Sequence, residues 1–150
     1  MKILIIGKNS RITQFLKEYL DKDFSILVKN YSELINKNSS YFKKFKFIIN
    51  CTSNKKYVNS PYDVSNDNDY KIAKKIIKLN TSYIFLSTRK VYKSGKNIKE
   101  TGKLLPTSNY SKNKLITEKK LSKKLNKLVI LRISNVIGDK SKIKKIHNTF

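Results

Sequence analysis

The sequence predicts an α/β fold, a doubly wound parallel sheet with helices on both faces. Three observations point there. Five short β-rich runs alternate with segments of helical periodicity, the order that builds βαβ units with right-handed crossovers. The first run, Lys2 to Ile6, is apolar and ends on Gly7, directly before a helical pattern. A length of 150 residues with 39% hydrophobic content suits one domain around one core and leaves no room for two.

The elements follow in order. After Gly7, residues Ile12, Phe15, Leu16, Tyr19 and Leu20 recur at helical spacing, so the chain opens as strand, turn, helix. Phe24 to Val28 is a second β-rich run, and Tyr31 to Phe45 is a polar, weakly helical stretch with no clear boundary. Phe45 to Asn50 is a third strand. The Asn/Ser/Pro/Asp-rich span from Thr52 to Asn68 reads as a loop. Tyr70 to Leu79 places Ile72, Ala73, Ile76 and Ile77 on one helical face, and Ser82 to Leu86 is a fourth strand. A loop from Ser94 to Pro106 holds Gly95 and Gly102. Ser108 to Lys124 is a helix through Leu115, Ile116, Leu121 and Leu125, and Leu128 to Ile133 is the fifth strand. After Gly138 no segment is able to close a second domain.

Composition removes several classes of function. Apolar residues come in short runs, so no transmembrane helix is expected, and the N-terminus lacks the length and cleavage site of a signal peptide. A cytoplasmic protein without a membrane partner is expected. One cysteine, Cys51, excludes an internal disulfide framework, and one histidine, His147, leaves too few soft ligands for a zinc site. No metal is expected. The net charge of +24 points toward nucleic acid, but 31 of the 34 basic residues are lysine, scattered among many Asn and Ile. Specific nucleic-acid recognition uses arginine forks and interleaved aromatics. Neither pattern is present, so the lysines are assigned to a solvated surface, and a lysine-driven nucleic-acid binder is the weaker alternative.

Two local patterns carry chemistry. The turn Gly7-Lys8-Asn9-Ser10-Arg11-Ile12-Thr13 joins the first strand to the first helix, where a dinucleotide-binding fold places its pyrophosphate. Only the first glycine is there. Ser10 and Thr13 occupy the other two glycine positions, where side chains push a phosphate or the helix outward; alone, the turn is equally an ordinary one capped by Ser10. The second pattern is Tyr110 and Lys114, one helical turn apart on one face, a spacing that lets an ammonium lower the phenol pKa for acid/base work. Tyr70/Lys74 and Tyr92/Lys96 share the spacing. Context separates them: Tyr110 follows the strand ending Phe85-Leu86-Ser87-Thr88, and hydroxyls at that end of a parallel sheet face the ligand crevice.

Five blocks then occur in a recognisable order: ILIIGKNSRIT, FIINCTS, YIFLSTRKVY, PTSNYSKNKLITEK and LVILRISNVIG. With these the chain resembles the extended short-chain dehydrogenase/reductase superfamily, in its NAD-dependent epimerase/dehydratase branch, and its fold is expected to be Rossmann-like. The resemblance implies that Thr88 is the catalytic hydroxyl, Tyr110 the acid/base and Lys114 its partner, which also holds a ribose hydroxyl. It implies Ser87 as the adjacent hydroxyl beside the substrate, and Asn50, Cys51 and Thr52 on the strand end along the cofactor; Tyr92, close to the crevice, either contacts substrate or packs. Gly7, Asn9, Ser10, Arg11 and Ile12 then form the phosphate turn. The cofactor is NAD or NADP; Lys29-Asn30 at the end of the second strand, without Asp or Glu, together with Arg11, favours NADP.

Departures from the family pattern narrow the activity. Arg89 and Lys90 stand where sugar-nucleotide dehydratases carry Asp-Glu, which disfavours a dehydratase and leaves an epimerase or 4-keto reductase acting on a nucleotide-activated sugar. Residues 1–150 are expected to form one NAD(P)-binding domain without the C-terminal substrate domain that follows the Asn135–Gly138 block in the family. The partners implied are a nucleotide sugar and either a second copy of the chain or a separately encoded substrate domain. The alternative is a truncated or split cofactor-binding module without turnover. Other residues read as structure: Cys51 as a small buried hydrophobe, His147 as surface, Glu118 as the helical-spacing partner of a lysine, and Tyr92 as packing if it does not touch substrate.

Overall fold

A computed structural model describes residues 1–134. The Asn135–Gly138 block, the stretch after it and His147 fall outside the described residues. Five strands, β1 (Lys2–Ile6), β2 (Ser25–Lys29), β3 (Phe47–Asn50), β4 (Ser82–Thr88) and β5 (Leu128–Ile133), form one sheet in the order β2-β1-β3-β4-β5. Every pairing is parallel. The chain moves outward from β1 to β2, then returns past β1 to β3, so the strand order reverses between β1 and β3. Such a reversal opens a crevice beyond the carboxyl ends of the strands. β3, not β1, is the middle strand.

The strands read as continuous apolar runs because both faces are covered. Alternate residues of β1 part to the two sides: Ile3 and Ile5 join Ile49 and the α1 residues Leu16 and Leu20, while Leu4 and Ile6 join Ile48, Tyr83 and Phe85. α1 (Arg11–Leu20) lies on the first face. The second is covered by α2 (Tyr31–Leu34), α3 (Ser39–Phe42), α5 (Asn68–Lys74) and α6 (Asn109–Ser122), which contribute Leu34, Phe42, Ile72 and Leu121 to a larger cluster. On the first face Val129 and Leu131 of β5 stay nearly half exposed.

The indistinct stretch from Tyr31 to Phe45 resolves into two single-turn helices, and the expected loop from Thr52 to Asn68 holds α4 (Lys55–Asn59) and a 3-10 turn at Val64–Asn66. These pieces are too short for a periodic stripe; their order comes from side chains capping orphan N–H groups. Asn30 and Glu33 form a reciprocal capping box around α2, with the Glu33 carboxylate accepting the Asn30 N–H at 2.7 Å. Asn38, Asn54, Asp63 and Asp67 cap the turns that follow them. α5 starts two residues before the expected Tyr70 and gives way after Lys74 to tighter turns, with Ile76 N–H bonded to Ala73 and Leu79 N–H to Ile76.

Ile48 is fully buried at the middle of the sheet. Ile48→Ala is expected to cost about 2 to 5 kcal/mol in urea unfolding, whereas Val129→Thr on the open face should stay within roughly 0.5 kcal/mol. Equal losses would contradict this placement of the core.

Candidate active site

Gly7 ends β1 and its N–H donates to the Lys29 carbonyl at 2.7 Å. Its φ is +111°, a region that L side chains avoid, and a Cβ there would stand 2.9 Å from Thr52 Cγ2. The one glycine left in the turn is therefore the one that the backbone requires. Ser10 stands at the N-cap of α1 without a side-chain capping bond, and Asn9 and Arg11 are exposed beside it, with Ile12 half-buried. Thr13 is buried against the Cys51 thiol. α1 packs on the sheet with a threonine where a glycine was expected.

The end of β2 meets a carboxylate that its own residues do not supply. Although no Asp or Glu lies at the strand end, Glu33 reaches back from α2, with its carboxylate 2.8 Å from Lys29 Nζ and 3.3 Å from Lys8 Nζ. These bonds and the Asn30 N–H hold the Glu33 carboxyl down at about 2. Lys29 is not a free cation, and a carboxylate stands beside the end of β2.

Beyond β3 lies a buried polar cluster. Asn50, 2% exposed, accepts the Thr52 N–H and hydroxyl at its side-chain oxygen and donates to Asp69 Oδ1 at 3.0 Å. Asp69 on α5 also accepts the Tyr83 hydroxyl at 2.8 Å. Lys114 on α6, 6% exposed, points its ammonium here, 3.7 Å from Asp69 Oδ2 and 4.5 Å from the Phe85 ring centre. The Tyr110 ring centre is 5.9 Å from that ammonium. Lys114, Tyr110, Asn50 and Thr52 are thus brought to one place. The expected lowering of the Tyr110 phenol is not found: burial raises its pKa above the ordinary value, and the Asp69 charge adds to this. Cys51 is half-buried, and desolvation pushes its thiol up to about 11, so it is a poor nucleophile.

β4 ends in a second network. Glu118 on α6 accepts the Ser87 hydroxyl and takes a two-pronged bond from Arg132 of β5, Nε to Oε1 at 3.1 Å and Nη2 to Oε2 at 2.7 Å. The expected lysine partner of Glu118 is therefore replaced by an arginine from another strand. Arg132 Nη1 donates to the Tyr92 hydroxyl, which itself donates to the Glu100 carbonyl. Tyr92 is buried, with the guanidinium over its ring. A cleft of about 700 Å³ adjoins, lined by Arg89, Tyr92, Ile98, Leu131 and Arg132. Thr88 is buried at the strand end, and its hydroxyl oxygen accepts the Lys90 N–H at 3.3 Å. Among the described residues no hydrogen bond joins Thr88 to either network.

A protein-family model described as the RmlD substrate binding domain matches residues 1–146. The chain belongs to this family. No curated protein matches in sequence. Solved structures match as folds: a dTDP-4-dehydrorhamnose reductase from Clostridium acetobutylicum at 20% identity and TM-score 0.72, covering 99% of this chain and 60% of that one. A dTDP-4-dehydrorhamnose reductase from Bacillus anthracis in complex with NADP matches at 17% identity and TM-score 0.74, covering 95% of this chain and 57% of that one. A UDP-glucuronic acid 4-epimerase from Bacillus cereus in complex with NAD matches at 19% identity and TM-score 0.73, covering 92% of this chain and 58% of that one. This RmlD-family chain therefore spans about 60% or less of the length of these relatives. The Rossmann-like parallel sheet is shared with all three. Among the described residues no helix is long and apolar enough to cross a membrane.

Proposed function

We propose that the chain is the dinucleotide-binding part of a reductase that converts the 4-keto group of a nucleotide-activated sugar to a hydroxyl. The observation that carries this reading is the convergence of the Gly7 turn, Asn50, Lys114 and Tyr110 on the carboxyl ends of a sheet whose order reverses between β1 and β3. A nicotinamide dinucleotide is supported here by the turn: Gly7, at φ +111°, turns the chain tightly so that the N-terminus of α1, without a side-chain capping bond from Ser10, opens at the carboxyl ends of the strands, where a pyrophosphate would sit. The Gly7 turn and the N-terminus of α1 would hold the pyrophosphate, Asn50, Cys51 and Thr52 would run beside the cofactor, and Lys114 would meet a ribose hydroxyl. When bound, the nicotinamide supplies the hydride.

The residues of the chain handle the oxygen. Thr88 donates a hydrogen bond to the sugar oxygen, Ser87 and Tyr92 flank it, and Tyr110 gives that oxygen its proton. Burial and the Asp69 charge keep this phenol in its protonated form, the form in which it has a proton to give. Reduction is preferred over epimerisation because the chain belongs to the RmlD family and two of the three matched structures are dTDP-4-dehydrorhamnose reductases. A second reading is a binding module without turnover, favoured by the match to only about 60% of the relatives' length.

The test is a fluorescence titration with NADPH and NADH, followed by cofactor consumption with a dTDP-4-keto-6-deoxy sugar. Saturable binding and turnover are expected, with Tyr110→Phe, Thr88→Val and Lys114→Met each losing about 10²- to 10⁴-fold in rate while Tyr70→Phe loses little. Binding without turnover would select the second reading, and no saturable binding would remove both.

Ribose preference is expected to rest on Glu33. Glu33→Gln releases Lys8 and Lys29 toward a 2′-phosphate, so the ratio of NADPH to NADH affinity should rise roughly tenfold. A ratio unchanged by the substitution would exclude Glu33 from the ribose site.

A further inference from the structure

Asp69 has no part in the scheme above, yet it is the anion closest to the proposed machinery. It is 5% exposed on α5, where burial raises its carboxyl while the Lys114 charge and the Tyr83 and Asn50 hydrogen bonds oppose that rise, and its two oxygens are used differently. Oδ1 takes both neutral donors, Asn50 Nδ2 at 3.0 Å and the Tyr83 hydroxyl at 2.8 Å, while Oδ2 is left to the Lys114 ammonium at 3.7 Å. The carboxylate is thereby fixed in rotation by two strands before the lysine meets it. We propose that Asp69 is a positioning residue: it anchors the Lys114 ammonium at the carboxyl ends of β3 and β4 and offsets its charge there, so that Tyr110 faces half of an ion pair rather than a free cation.

Among the described residues the surroundings leave no other anion for the task. Tyr57 from α4 has its hydroxyl on Thr117 of α6, 2.7 Å away. Asp67, at the head of α5, is taken by the Tyr62 and Thr117 hydroxyls at 2.9 and 2.6 Å. Cys51 from β3 is held as a thiol, and Tyr83 from β4 is held as a phenol. Of the charged groups facing Tyr110, Asp69 and Lys114 are the near pair. Stability alone does not account for it, since a buried ion pair is commonly matched or exceeded by apolar side chains of equal volume. What the pair supplies that apolar residues would not is a defined place and a neutralised charge for the lysine.

The inference rests on Tyr110 being the proton donor, but its test needs neither cofactor nor sugar. Ring-carbon NMR of tyrosine-labelled protein follows ionisation of Tyr110, with its signal assigned by loss in Tyr110→Phe. Asp69→Asn removes the negative charge and leaves Lys114 unmatched, and both changes favour the phenolate; the midpoint should fall by about one pH unit. Lys114→Met leaves the Asp69 bonds to Asn50 and Tyr83 in place and removes the cation, so the midpoint should rise. Asp69→Glu should restore a midpoint near that of the parent. A Tyr110 midpoint unmoved by either charge change, or moved the opposite way, would overturn the proposal, and Lys114→Met decides alone if Asp69→Asn does not fold. Failure here would leave turnover by Tyr110 to be judged separately.

Discussion

A lysine ammonium taken out of water must find an anion, and that requirement organises the ligand end of this molecule. Lys114 is buried on α6 because the helix packs against β4, and Asp69 answers it from α5. Desolvation of an ion costs several kcal/mol, repaid only with good geometry and further hydrogen bonds. Asn50 and Tyr83 supply those bonds from two adjacent strands. The parallel topology is what makes this arrangement available, because it brings the ends of β1, β3 and β4 to the same side.

Arg132 and Glu118 repeat the device on the other flank of β4. There the cation is an arginine, and the difference follows from geometry: its planar fork meets both carboxylate oxygens and still has a donor for Tyr92. Lysine could not make all three bonds in one plane. α6 thus carries a charge into each network, Lys114 toward β3 and Glu118 toward β5, which ties the Asn50 end of the crevice to the cleft beside Tyr92. In a chain with 34 basic residues, the buried Lys114 and the partly buried Arg132 each have a fixed partner and a fixed place.

The sheet was legible in the sequence because strands covered on both faces show as apolar runs, and Tyr110 with Lys114 was legible because helical spacing is local. The short helices between β2 and β3 and within residues 52–68 were not, since single turns have no periodic face and depend on caps. One signal was available: Asn30 followed by Glu33 is a capping-box spacing, and it would have placed a carboxylate at the end of β2. Asp69 and the true partner of Glu118 were hidden for a different reason. Asp69 meets a lysine 45 positions later, and Glu118 meets an arginine on the next strand, contacts that only the fold creates.

On the function proposed, a dinucleotide binds across the carboxyl ends of β1, β2 and β3 and reaches α6. Amide hydrogen exchange with and without saturating NADPH, at low and at high salt, tests it most directly. The account predicts slower exchange at residues 7–13, 29–33, 50–52 and 110–114, retained at high salt. Protection spread over the exposed lysine surface and lost at high salt would mark a charge-driven association instead, and would contradict the account.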